Sequence, residues 1–269
     1  MEYVNEVIKD LFTQVKEVQP LIHHITNTVT INDCANVTLA IGGSPVMATS
    51  VEEVADMAQL AQALVINFGT IDDAMYEAMM LAGQAANKKG IPIVFDPVGV
   101  GATPFRTERA KDYLNTVNVS VVRGNASEVF ALIGGNANTR GVDAGDISIS
   151  SRELALEAAR KLNAIAVISG KIDYISNGTD VIGIDNGDLL LTKITGTGCT
   201  TASLIAAFAG VSTDWFAAAV AGMSTMSIAG ELAKKQLKKD EGIGTYRIKL
   251  LDQIFLMDGN TWEEGVRFA

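Results

Sequence analysis

Short apolar runs alternate with longer stretches of helical period along most of the chain, and few architectures tolerate that order. The runs at 64–67, 91–95, 119–123 and 165–169 read as strands, with helices between them at 51–61, 72–88, 107–114, 127–133 and 151–162. Strand then helix, repeated, predicts an α/β fold with a central, mainly parallel sheet and helices on both faces. Ser50 and Ser150-Ser151, each followed closely by glutamate, predict helix starts, and Lys88-Lys89-Gly90 predicts a helix end. One antiparallel hairpin is expected from 181–184 through Asn186-Gly187 to 189–191. Two helices apolar nearly all round, 202–210 and 215–233, are expected to be buried, in part against another subunit. The basic run from Lys234 to Lys239 reads as a solvated helix end. No repeat, low-complexity tract or linker interrupts the 269 residues, so a single domain over 1–269 is the simplest organisation.

Composition narrows the partners. With 48% hydrophobic and 19% charged residues the chain suits a densely packed enzyme. A net charge of −10 argues against duplex nucleic acid, whose phosphates need a basic face, and against an anionic membrane surface. It leaves room for a small anion such as ATP, because a few local cations and Mg²⁺ reverse the field inside a cleft. Cys34 and Cys199 build neither a disulfide framework nor a Cys-x-x-Cys metal knuckle. The acidic start lacks the basic-then-apolar order of a signal peptide, and no apolar run reads as long enough to span a bilayer. The cytoplasm is therefore the expected compartment.

Chemistry concentrates at the ends of the strand-like runs. Thr195-Gly196-Thr197-Gly198-Cys199 opens an apolar helix. Its glycines admit close approach of a ligand, and the free N–H groups and dipole of a first helical turn attract phosphate. It is neither a Walker A loop, since no Lys follows the second Gly, nor the dinucleotide fingerprint, since the third Gly is missing. Placing Cys199 in that positive field is expected to lower its thiol pKa. Asp96 ends one strand, where a carboxylate can hold Mg²⁺ together with water and phosphate oxygens, or can simply cap the next turn. The next strand ends in Arg123-Gly124-Asn125-Ala126-Ser127-Glu128. Arg123 offers a planar fork for phosphate. Glu128 either holds a water on the metal or only complements a helix dipole. Ser169-Gly170 ends the strand after that. His23-His24 invites a metal reading, but neighbours on a strand face opposite ways and no third ligand is near in sequence, so core or substrate-lining roles are favoured. Asn67-Phe68-Gly69-Thr70 is placed to reach the same cleft.

Ile25-Thr26-Asn27, Gly43-Ser44-Pro45-Val46-Met47-Ala48, Asp96-Pro97-Val98-Gly99-Val100-Gly101-Ala102-Thr103, the Arg123–Glu128 segment, Gly141-Val142-Asp143, Thr195-Gly196-Thr197-Gly198-Cys199 and Gly242-Ile243-Gly244-Thr245-Tyr246 occur in that order. The set resembles the hydroxyethylthiazole kinase family over nearly the whole chain. The resemblance implies a ribokinase-like fold and a homotrimer with active sites at subunit interfaces. It implies ATP- and Mg²⁺-dependent phosphorylation of the hydroxyl of 4-methyl-5-(2-hydroxyethyl)thiazole, a step of thiamine biosynthesis and salvage. It also implies site roles: Asp96 and Glu128 toward Mg²⁺; Arg123, Ser169 and Gly198 toward ATP; Met47 (through its backbone), Gly196 and Asn27 toward the thiazole. Ser169 stands where relatives often have Thr. Cys199 stands where ribokinase-like relatives generally have Asp, and its implied part is to orient the substrate hydroxyl ahead of acting as general base. Other activities on the same fold are a hydroxymethylpyrimidine or pyridoxal kinase and an ADP-dependent nicotinamide-cofactor-hydrate dehydratase. These generally need Asp at the position of Cys199.

Overall fold

The computed structural model describes residues 2–135 and 149–269. The chain runs α1 (Glu2–Val18), β1 (Leu21–Ile25), α2 (Ile31–Ile41), β2 (Ser44–Val46), α3 (Val54–Leu60), β3 (Ala63–Asn67), α4 (Asp73–Lys89), β4 (Ile93–Asp96), α5 (Pro104–Thr116), β5 (Val121–Asn125) and α6 (Ala126–Leu132). Beyond residue 149 follow α7 (Ser151–Leu162), β6 (Ile165–Ser169), β7 (Asp173–Ser176), β8 (Val181–Ile184) and a 3₁₀ turn (Leu189–Lys193). The chain ends with α8 (Thr197–Ala209), α9 (Trp215–Gln236), α10 (Ile243–Leu256) and α11 (Gly259–Gly265). Gly141-Val142-Asp143 lies outside the described residues.

Among the described residues, eight strands form one sheet in the order β2-β1-β3-β4-β5-β6-β7-β8. Strands β2 through β6 are parallel, and β7 and β8 add antiparallel to one edge. Alternate side chains face opposite layers, as pleating requires. In β3, Ala63 and Val65 join the core formed with α1, α8 and α9, while Leu64 and Ile66 join the core formed with α4 and α5. Every residue of β3 and β4 is buried, which explains their unbroken apolar reading. The expected α/β architecture is therefore present, with helices on both faces.

Local signals held at several places and failed at others. Ser150 and Glu153 form a reciprocal capping box, and Gly90 closes α4 in the left-handed conformation after Lys88 and Lys89. Lys234 and Lys235 end α9 exposed, as a solvated helix end should be. Ser50 does not start a helix. It accepts from Glu52 in a turn, and α3 begins three residues later than Val51, at Val54. The expected hairpin is also misplaced. The strand 181–184 pairs backward with β7 around Asn177-Gly178, while the Asp188 carboxylate caps the N–H of Leu190 and winds 189–193 into a 3₁₀ turn. Helix α9 is long and apolar enough, by length and composition, to cross a membrane, contrary to the sequence expectation. It is instead packed inside the chain, with 83% of its most apolar window buried. Its burial, like that of α8, is against this chain's own elements: α8 and α9 pack on each other and on the sheet.

Candidate active site

The carboxyl ends of β1, β3, β4, β5 and β6 and the start of α8 carry the polar residues that the apolar core excludes. Asn67 and Asp96 are register partners on adjacent strands. Asn67, Asp96 and Asn27 are all buried. Their hydrogen bonds fix one orientation for each amide. Asn27 Oδ1 accepts from the Val29 and Thr30 N–H groups at 3.1 and 3.0 Å and from the Thr30 hydroxyl at 3.1 Å. Its Nδ2 must then be the donor, to Asn67 Oδ1 at 2.9 Å and Cys199 Sγ at 3.3 Å. Asn67 Oδ1 also accepts from the Gly69 N–H at 2.9 Å, so Asn67 Nδ2 donates to Asp96 Oδ2 at 2.7 Å. A continuous relay results: Cys199, Asn27, Asn67, Asp96.

Asp96 uses only one of its oxygens in that relay. Among the described residues its Oδ1 is buried and without a hydrogen-bond partner. Burial pushes the Asp96 carboxyl up to about 7; the charge of Arg123 opposes this, Glu128 adds to it, and Asn67 and the Cys199 thiol oppose it more weakly. The same burial, with the Asp96 charge second, raises the Cys199 thiol above its ordinary value. This reverses the sequence expectation of an acidified cysteine. Desolvation and a neighbouring carboxylate raise the thiol, and the hydrogen bonds of Thr30, Asn67 and Asn27 oppose them only in part.

Helix α8 starts at Gly196, whose φ of 83° lies in the left-handed region and whose missing Cβ leaves room for the Thr30 side chain. The first intrahelical bond runs from the Thr200 N–H to Gly196 O at 2.9 Å. The N–H groups of Thr197, Gly198 and Cys199 therefore have no helical acceptor. The guanidinium of Arg123 lies against Gly198, so close that a Cβ there would collide with it. Among the described residues Arg123 Nε is buried and without a hydrogen-bond partner. Glu128 engages both carboxylate oxygens: Oε1 accepts from the Gly99 N–H and Oε2 from the Asn125 N–H, each at 2.9 Å. It is thus the N3 residue of a capping box on α6 as well as the latch of the loop after β4.

Asp96, Cys199, Asn27, Arg123, Gly196, Gly198 and Glu128 are thereby brought into one cluster. Ser169 stands at its flank, donating to Gly124 O at 3.4 Å, and Met47 stands just past the end of edge strand β2, beside β1. The two histidines diverge: His23 Nε2 bonds Ala48 O at 2.8 Å, and His24 Nε2 bonds Ser203 Oγ on α8 at 3.1 Å. Among the described residues no group of three His, Cys, Asp or Glu is placed to enclose a metal. The donor set suits Mg²⁺ nonetheless, since that ion takes one or two carboxylates and keeps water and phosphate oxygens. Asp96 Oδ1 is the free direct oxygen, and Glu128, with both oxygens engaged, suits a water-mediated contact. The sequence places Asn67 at the cleft without a role, and gives no role to Arg106. Asn67 carried a strand-end position as a signal; Arg106, three residues beyond the Asp96–Thr103 segment, carried none.

The model of the hydroxyethylthiazole kinase family matches residues 12–259. The chain belongs to the hydroxyethylthiazole kinase family. A hydroxyethylthiazole kinase of Ruminiclostridium cellulolyticum is 45% identical over 269 residues, covering 99% of this chain and 98% of that one. The solved hydroxyethylthiazole kinase of Pyrococcus horikoshii superposes with a TM-score of 0.87 at 36% identity, over 100% of this chain and 99% of that one. A ribokinase-like superfamily protein from Enterococcus faecalis superposes at 0.64 with 12% identity, covering 93% of each chain, and shows that the family shares the ribokinase-like fold.

Proposed function

We propose that this chain transfers the γ-phosphoryl group of ATP to the hydroxyl of 4-methyl-5-(2-hydroxyethyl)thiazole, in thiamine biosynthesis or salvage, as a single domain in the cytoplasm. Family membership supports the reaction, and the Cys199–Asn27–Asn67–Asp96 relay beneath the start of α8 is the observation that carries it to this site. The acceptor oxygen attacks the γ-phosphorus in line, the bond from that phosphorus to the bridging oxygen breaks, ADP leaves, and the hydroxyl proton passes to the transferred phosphoryl oxygens and on to solvent. The Cys199 thiol, held neutral by its raised pKa and fixed by the Asn27 amide, orients the hydroxyl. Little early deprotonation is needed, because phosphoryl transfer depends mainly on positioning and charge stabilisation. Arg123 and the N–H groups of Thr197, Gly198 and Cys199 receive the developing charge. Ser169 flanks the nucleotide; Gly196, Asn27 and the Met47 backbone line the thiazole side. Asp96 directly, and Glu128 through water, would hold Mg²⁺, which when bound neutralises phosphate charge.

A homotrimer with shared sites is part of this reading. Ile248, Phe255 and Leu256 form an exposed apolar stripe on α10, and Val29, two residues from Asn27, is 64% exposed at the rim. A second chain packed against this face would cover that rim. The test of the reaction is ADP release from ATP and Mg²⁺ with the thiazole alcohol, a hydroxymethylpyrimidine and pyridoxal offered in turn. Turnover is expected with the thiazole alcohol; turnover of another acceptor in its place would overturn the assignment.

A further inference from the structure

Three backbone carbonyls turn toward one point behind the relay, and the side chain of Arg106 fills it. Its Nη1 donates to Phe68 O and to Val98 O, the latter at 3.0 Å, and its Nη2 donates to Gly69 O at 2.9 Å. Phe68 and Gly69 directly follow Asn67 at the end of β3; Val98 follows Asp96 at the end of β4. One planar cation thus ties together the two loops whose strand ends carry the Asn67–Asp96 bond. Among the described residues Arg106 makes no ion pair, and these carbonyl dipoles face its charge. The route is built for it. Gly99 has a φ of 75°, and a Cβ there would stand 3.1 Å from Arg106 Cδ. The Gly99 N–H in turn donates to Glu128, and Gly69 is pressed against the Asn27 side chain so tightly that a Cβ would clash. Every residue of the relay except Cys199 is therefore one step from this clamp.

Resting on the proposed phosphoryl transfer, we infer that Arg106 is a positioning residue: it sets the spacing of the Asn67 and Asp96 strand ends and, through Gly99, the placement of Glu128. A lysine does not replace it, since one ammonium cannot present the fixed fork that three separated carbonyls accept. Arg106→Ala is expected to lower kcat by about 10- to 100-fold, the range for residues that orient a site without touching substrate. KM for the thiazole alcohol is expected to stay within about threefold, because that side of the site keeps Met47 and Gly196. Guanidinium chloride at low millimolar concentration is expected to recover part of kcat in Arg106→Ala and none in Arg106→Lys. A readout without substrate, nucleotide or metal accompanies the kinetics: amide hydrogen exchange at Gly69 and Gly99, whose protection falls in both variants while the core strands keep theirs. Unchanged protection at those two amides, or kcat within twofold of the parent in either variant, overturns the inference. Should Arg106→Ala fail to fold, the same two readings on Arg106→Lys decide it. Failure of the parent enzyme to turn over the thiazole alcohol would sink the functional reading alone, since amide exchange still reports the clamp.

Discussion

Replacing Asp96 by Asn isolates the cost of keeping a carboxylate where the proposed reaction wants one. Asp96 is fully buried and receives a hydrogen bond from Asn67 on one oxygen; among the described residues its other oxygen has no partner within hydrogen-bond distance. Burial lifts it from 3.8 to about 7. An acid whose folded value lies above its unfolded one holds extra proton in the native state, so its contribution to stability is greatest at low pH and is lost as pH rises through the folded value. The whole gap corresponds to about 4 kcal/mol, of which about 3 kcal/mol accrues between pH 5 and pH 8. Asparagine keeps the Asn67 bond by turning its carbonyl to that donor and carries no charge at any pH. Asp96→Asn should therefore gain about 3 kcal/mol over the parent between pH 5 and pH 8, a Tm difference of about 6 °C for a chain of this size. Asp173, also buried and raised to about 6, contributes equally to both proteins and cancels in the difference. Thermal melts of metal-free protein across that range measure it, with kcat followed alongside. Parallel pH profiles of Tm would refute the reasoning. A stabilised but inactive variant is the expected result, the signature of a carboxylate kept against its own burial cost.

Two further outcomes follow from the same geometry. Iodoacetamide should modify Cys199 slowly at neutral pH, with a rate still rising past pH 9, because burial and Asp96 raise its thiol; a plateau below pH 8 would show an acidified cysteine instead. Gly198→Ala should leave the melting temperature within about 5 °C while lowering kcat by about 10-fold or more, since the new methyl displaces the Arg123 guanidinium rather than the core; nucleotide turnover at the parent's rate would remove Arg123 from the site.

How far the sequence was legible depended on whether neighbours in the chain or neighbours in space decide a structure. Strands β3 and β4 were legible because both faces are covered and their side chains are apolar up to the strand-end Asn67 and Asp96. The Ser150–Glu153 box and Gly90 were legible because a cap is made within four residues. The hairpin was not, because two Asn-Gly pairs, Asn177-Gly178 and Asn186-Gly187, compete as turns, and pairing of β7 with β6 decides between them. The short strand β2 hides behind Pro45 at a sheet edge, where a missing N–H costs nothing. Strand-end positions marked Asp96, Arg123 and Ser169, since a parallel sheet gathers those ends on one side. The partners of these residues were invisible: Asn67 beside Asp96 is a fact of register, and Arg106 reaches Phe68 from 38 residues away.

Cys199 shows most clearly why local electrostatics cannot be read from position alone. At the N-terminus of a helix its sulfur meets a favourable field, and for an exposed thiol that field would dominate. Here the sulfur is half-buried at the start of α8, and the parallel sheet brings Asp96 beside it. Both effects favour the neutral thiol. The Asn27 amide donates to the sulfur and so holds the side chain in one orientation beside Asp96. A neutral cysteine orients an alcohol next to a polyphosphate without adding to its negative charge, which an aspartate at the same place would do. The raised thiol that makes Cys199 a poor ready base suits it to the proposed part of holding a hydroxyl there.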